Sequence, residues 1–326
     1  MRFSLFKTGV ALFVSAGVQL SAWAVNLPGP VVEADWLIAN KDQVQVLEVR
    51  ADLKSFVSKA EVTVDKASGQ RQVVEVGGRI PGALSIDFGK IRVTRKMGDL
   101  MVPAMIPEQA AFQSLIQAAG VNADKPIVIV PMGLETDDVD QALRLYWQFK
   151  VYGEDKIAVL NGGTAAWLLT GQPTVTDAPA VKPGNCVSSA VRMNWFATSE
   201  DAAQATQNNQ QLIDARPASQ FHGLVLRKGV STPGHIAGAK SITPDLLTYN
   251  KQGAAFFYTP KTYASLFQQM GVSSQQPTIA YCNTGHLASG AWFVMSEMVG
   301  NANTRLYDGS MTQWTLEKRP TVTVQK

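Results

Sequence analysis

The sequence is poor in the residues that most readily betray a function. It has two cysteines, Cys186 and Cys282, and three histidines in 326 residues. That excludes a disulfide framework and a cysteine-rich zinc site. His222, His235 and His286 stand at no metal-ligand spacing, so neither a metal nor another cofactor is expected. Charge of one sign is also lacking: 29 Lys and Arg face 26 Asp and Glu, for a formal net of +3. Two of the positive charges, Arg2 and Lys7, sit at the extreme N-terminus, which leaves no basic field suited to nucleic acid. Hydrophobic residues make up 46% against 17% charged, which excludes a largely disordered chain and provides cores for about two domains. Beyond the N-terminus no apolar run approaches the roughly 20 residues that span a bilayer.

What is there begins with a targeting segment. Arg2 and Lys7 precede an uncharged, mostly apolar stretch from Thr8 to Leu20, and Ala22-Trp23-Ala24 offers small residues on either side of a cleavable bond. The stretch is too short for a membrane anchor. Residues 1–24 are expected to be a signal peptide, with the mature chain starting at Val25, free of the membrane and periplasmic if the source is Gram-negative. In an oxidising compartment Cys186 and Cys282 have the chemical option of pairing, at the cost of whichever thiol is functional.

The chain then repeats itself. Val46-Leu47-Glu48-Val49-Arg50 returns as Leu212-Ile213-Asp214-Ala215-Arg216, a buried strand ending in an acid–Arg pair. The turn Gly78-Arg79-Ile80-Pro81-Gly82-Ala83 returns as Gly234-His235-Ile236-Ala237-Gly238-Ala239. The apolar run Pro126–Val130 returns as Pro277–Tyr281, and Leu160-Asn161-Gly162-Gly163 with Trp167 returns as Tyr307-Asp308-Gly309-Ser310 with Trp314. Helical patterns lie between these signals: Gln109–Ala119 and Lys261–Met270, stopped by Gly120 and Gly271, then Val139–Lys150 and Ala288–Val299. Strands alternating with helices predict two α/β domains, each a mainly parallel sheet flanked by helices. The boundaries read as 25–172 and 188–326, joined by a Pro/Gly-bearing linker over 173–187.

This set of signals resembles the tandem rhodaneses, two-domain sulfurtransferases. The carrying residues are Leu212–Arg216, Gly234–Ala239, Tyr281-Cys282-Asn283-Thr284-Gly285-His286 and Tyr307–Trp314. The resemblance implies a catalytic second domain, a degenerate first domain and no cofactor. The residues give the same picture. Cys282 follows a buried strand and precedes a helix, so the loop from Asn283 to Leu287, with Gly285 for a positive-φ turn, is expected to turn backbone N–H groups toward the sulfur. Such a thiolate attacks a sulfane sulfur and carries it as a persulfide to a second nucleophile. An inert buried cysteine is the bland alternative. Rhodanese-like phosphatases would need an Arg where Ala288 stands, and there is no Cys-x-x-Cys.

In the first half Pro131 aligns with Cys282. The loop that follows carries Glu135, Asp137 and Asp138, read as a solvated helix start or else as a surface for a cationic partner. Around Cys282 the candidate donor contacts are Asn283, Thr284, Gly285, His286, Leu287, Arg216, Arg227 and Lys228. Arg216 reads mainly as a structural partner of Asp214, and Arg227 and Lys228 as donor contacts or exposed loop charges. Gln220 occupies a position where many relatives carry an Arg. His286 is expected to serve an anion as a protonated ring or to shuttle a proton, unless it merely faces solvent. His235 and Asp308 read as turn and hydrogen-bond residues.

The expected activity is transfer of sulfur from a small thiosulfate-like anion to cyanide or a thiol, a protein acceptor included. The alternatives are a non-catalytic or partner-specific sulfur carrier, or a 3-mercaptopyruvate sulfurtransferase.

Overall fold

The computed structural model describes residues 25–178 and 180–324; the proposed signal segment lies outside them. Each half builds a five-stranded parallel sheet with the same strand order. In the first, the order is Val31–Val32, Ile157–Leu160, Ile127–Val130, Gln45–Arg50 and Leu84–Asp87. In the second it is Phe196–Ala197, Thr304–Tyr307, Thr278–Tyr281, Gln211–Asp214 and Lys240–Ser241. The middle strands Ile127–Val130 and Thr278–Tyr281 are buried along their whole length. Parallel sheets are covered on both faces, which is why these runs are apolar or β-branched rather than alternating.

The helices fall close to their sequence signals, at Gln109–Ala118, Pro260–Gln269, Thr136–Val151 and His286–Phe293. The last continues as a π-helical turn over Val294–Met298 instead of the uninterrupted α-helix expected to Val299, with Val299 N–H donating to the Val294 carbonyl at 2.9 Å. Part of the surplus length of the first half is an inserted hairpin, Glu61–Val64 paired antiparallel with Arg71–Glu75.

Each half also sends an arm across to the other. The first-half hairpin Val93–Met97/Leu100–Met105 ends where Ile106 N–H donates to Asp308 Oδ2 at 2.8 Å. The second-half hairpin Thr248–Lys251/Ala254–Phe257 ends where Phe257 N–H donates to Asn161 Oδ1 at 2.9 Å. Asn161 and Asp308 hold the same place in the repeated fourth signal, so the two crossings are counterparts.

Between the arms, the helix Thr136–Val151 packs on the helix His286–Phe293. Tyr146 meets Phe293 edge-on at 4.9 Å, and Trp147 stacks on Phe196 while its Nε1 donates to the Trp195 carbonyl at 2.9 Å. Gly290 is required here, because a Cβ would stand 2.1 Å from Asp140 Oδ1. One continuous apolar core therefore runs through both halves, from Val49 and Ile129 to Ile213, Cys282 and Met295.

Asp140 is 1% exposed and neither carboxylate oxygen has a hydrogen-bond partner among the described residues. Burial, and then the charge of Asp137, hold its pKa well above the usual range. With the folded pKa raised, its contribution to stability is complete below the unfolded value of about 3.9 and is lost as pH rises through the folded one. Asp140→Asn should therefore leave the melting temperature near pH 4 almost unchanged and raise it at pH 8–9, by an effect on the order of 1–3 kcal/mol. Thermal unfolding followed across pH 4–9 checks this; a difference that does not vary with pH would show that Asp140 is ionised in the folded protein throughout.

Candidate active site

The strand Thr278–Tyr281 ends against the turn of the second signal, where Tyr281 OH accepts from Ile236 N–H at 3.1 Å. The next residue is Cys282, 1% exposed. The chain turns at Gly285, whose φ of 72° caps the helix beginning at His286. A Cβ there would lie 2.5 Å from Arg144 Nη1 and 2.9 Å from the Asp308 carbonyl, so both the dihedral and the space call for glycine.

Ser310 staples the two ends of this loop. Its Oγ accepts from Cys282 N–H and from Gly285 N–H, both at 3.1 Å, and donates to the Tyr307 carbonyl at 2.8 Å. It does so from a left-handed backbone conformation, φ 49°, a strain that L-residues hold where the surroundings impose it. Met311 and Thr312 N–H groups donate to the carbonyls of Cys282 and Asn283, both at 3.0 Å. The N–H groups of Asn283, Thr284, His286 and Leu287 are left without an acceptor among the described residues. A run of free amides at the N-terminus of a helix is a cradle for negative charge.

The first half closes over this loop. Arg144, wholly buried, pairs with Asp308 Oδ1 and donates from Nη1 to the Gly285 carbonyl at 3.2 Å. Phe88 lies 4.8 Å from the His286 ring, and Arg92 places its guanidinium 4.1 Å from the Phe88 ring centroid.

The other candidates divide. Asn283 is buried and its Nδ2 donates to Gln220 Oε1 at 2.8 Å, so Gln220 braces the loop. Thr284, His286 and Leu287 are partly exposed. Arg216 is committed elsewhere: Nε and Nη2 bind the Asp214 carboxylate, and Nη2 donates to the Gly234 carbonyl at 2.8 Å. Arg50 does the same in the first half with Glu48 and the Gly78 carbonyl. This is the structural option, repeated twice. Arg227 and Lys228 are both exposed. The charge of Arg227 acts on His286 and on Arg92, whereas no hydrogen bond or ion pair ties Lys228 to the loop among the described residues.

The surroundings of His286 weigh against one of its readings, the protonated ring. Burial first, and then the charges of Arg92, Arg144 and Arg227, push the His286 pKa down to about 3, although Asp137 Oδ1 lies 3.8 Å from Nδ1. The ring is neutral at working pH and supplies no cation. The sequence alone did not expose this, because two of those three arginines come from the other half.

Arg144, Arg92 and Phe88 were missed for the same reason. Ser310 was legible in principle. Its counterpart in the repeat is Gly163, also left-handed at φ 59°, and a serine replacing a glycine at such a site signals a role for the hydroxyl.

Cys282 thus stands at the end of a central parallel strand on one of two interlocked copies of an α/β unit. Residues 198–317 match the model of the rhodanese-like domain. A Mycobacterium tuberculosis protein named for thiosulfate sulfurtransferase activity is 29% identical over 292 residues, covering 87% of this chain and 94% of that protein. The sulfur carrier protein TtuD of Thermus thermophilus is 25% identical over 301 residues, covering 88% and 94%. Among solved structures, the 3-mercaptopyruvate sulfotransferase SseA of Escherichia coli is similar with a TM-score of 0.68 at 24% identity, over 86% of this chain and 98% of that one. The second half therefore carries a rhodanese-like domain, and the chain, similar over most of its length to tandem-domain sulfurtransferases, is a rhodanese-type transferase.

The depressed His286 pKa has a measurable sign. Its contribution to stability is complete above the unfolded value of about 6.5 and is lost as pH falls from there toward 3. His286→Asn should lose less melting temperature than the parent between pH 7.5 and pH 5. Parallel melting curves would contradict a lowered His286 pKa in the folded protein.

Proposed function

We propose that this protein is a sulfurtransferase that moves a sulfane sulfur from a thiosulfate-like anion to cyanide or a thiol through a persulfide on Cys282. The observation that carries the reading is Cys282 at the head of a loop with four free amides, stapled by Ser310 and closed by Arg144. In the first step the Cys282 thiolate attacks the outer sulfur of the donor. The donor's S–S bond breaks and sulfite leaves with the electron pair. The free amides hold the anionic persulfide, and an acceptor then takes the outer sulfur and returns the thiolate. The names of the mycobacterial and Thermus relatives support sulfur handling of this kind.

A second reading, delivery to a dedicated protein acceptor, is favoured by one feature. Leu224, Val225 and Leu226 stand exposed in a row beside Arg227, at 56%, 51% and 51%. Slow turnover with cyanide alongside rapid loading of Cys282 would select that reading. We also propose export, on the strength of the N-terminal 24 residues alone.

Cys186 is not a competitor. It is buried and unpaired, and burial, with Glu154 nearby, pushes its thiol pKa up. Intact mass after exposure to thiosulfate should show one added sulfur in the parent and in Cys186→Ser, and none in Cys282→Ser. Turnover should follow the same pattern, at least ~1,000-fold down without the nucleophile. A sulfur adduct surviving in Cys282→Ser would remove Cys282 from the mechanism.

A further inference from the structure

The guanidinium groups near Cys282 are unequally engaged. Arg144 is held by Asp308 and the Gly285 and Ala104 carbonyls, and Arg216 by Asp214 and the Gly234 carbonyl. Arg227 is exposed. Arg92 is partly buried and has no hydrogen bond or ion pair among the described residues; its Nε is sealed from solvent and unpartnered. It lies over the face of Phe88, 4.1 Å from the ring centroid, and Phe88 in turn packs on the His286 ring of the cysteine loop. An unpaired cation withdrawn from water is costly unless an anion joins it. Nearby acids do not join it: Asp137, the closest in effect, approaches His286 instead.

Resting on the sulfurtransferase reading, we propose that Arg92, a residue of the half without the nucleophile, is the donor-binding cation that receives the oxyanion head of the sulfur donor. The guanidinium rests over the Phe88 ring, the free loop amides receive the sulfur end, and exposed Arg227 adds a second positive charge. The same contact serves the departing sulfite, whose negative charge grows as the S–S bond breaks, so Arg92 favours donors with an oxyanion head over polysulfide. The charges support this arrangement. Burial and the neighbouring Arg144 and Arg227 draw the Arg92 pKa down to about 10, while Cys282 and Asp137 oppose them, so its charge is felt at the sulfur yet kept at neutral pH.

The test separates the two half-reactions. In Arg92→Ala, kcat/KM for thiosulfate should fall by about tenfold or more, the loss expected of a charged hydrogen bond. Discharge of the isolated persulfide by dithiothreitol, a neutral thiol, should stay within about twofold of the parent, because the oxyanion head has gone by then. Arg92→Lys should recover part of the loss, since it restores charge without the planar fork. Sulfate, an unreactive dianion, supplies a readout independent of catalysis: calorimetry should show it binding the parent and lost from Arg92→Ala.

Unchanged thiosulfate kinetics and unchanged sulfate binding would overturn the assignment. So would equal losses in both half-reactions, which mark a structural role. If Arg92→Ala fails to fold, Arg92→Gln keeps the packing on Phe88 and gives the same comparison. A parent that binds sulfate through Arg92 but never loads sulfur on Cys282 would refute the sulfurtransferase reading and leave the anion site standing.

Discussion

The buried pair between Arg144 and Asp308 is the contact on which the site depends. Asp308 ends a strand of the second sheet, and Arg144 lies on the long helix of the first half. Asp308 also takes the Ile106 N–H, which fixes the first-half arm, while Arg144 takes the Gly285 carbonyl, which fixes the turn of the cysteine loop. Two ions both 0% exposed give little net stability over an apolar pair, but loss of one partner strands the other at several kcal/mol. The pair therefore acts as a lock: arm, helix and loop are all in place, or a charge is left in the core.

The duplicated halves explain why such a lock can exist. In both, an acid–Arg pair at a strand end clamps the carbonyl of the following turn: Glu48 and Arg50 on Gly78, Asp214 and Arg216 on Gly234. In both, the residue after the strand of the fourth repeated signal receives the other half's arm, Asn161 from Phe257 and Asp308 from Ile106. The loop at Pro131 keeps the backbone pattern of the loop at Cys282. Thr164 and Ala165 N–H groups bind the Pro131 and Met132 carbonyls as Met311 and Thr312 bind those of Cys282 and Asn283. The alignment of Pro131 with Cys282 thus rests on matching hydrogen bonds as well as on order in the chain.

These repeats made the parallel sheets, the turns and the position of Cys282 legible, because each depends on local patterning: a short apolar strand, a Gly-bearing turn, a helix stop. What escaped was set by how the halves dock. Nothing local marks Arg92 or Arg144 as close to the cysteine loop, where their charges add to burial in lowering the His286 pKa. Arg216 could be weighed only as structural or donor-binding until Gly234 and Asp214 were seen to occupy it. The π-turn after Phe293 likewise left no mark in an apolar run that fits either helix.

The same docking gives the corresponding loops of the two copies unlike surroundings. The second-half arm lays Phe256 beside Gly162, where a Cβ would come within 2.8 Å of the ring. Met132, Leu134 and Phe256 there join an apolar cluster with Val73, Ala165 and Leu168. A loop beginning at Pro131 and roofed by hydrocarbon has no means of drawing in an anion. Around Cys282 the corresponding cover comes from the first half and carries Arg92 and Arg144. Two of the three arginines whose charges act on His286 in the cysteine loop, Arg92 and Arg144, thus come from the half without that cysteine. The first half brings charge as well as packing to the loop, whereas Arg216, the buried second-half guanidinium that feels Cys282, is already paired with Asp214.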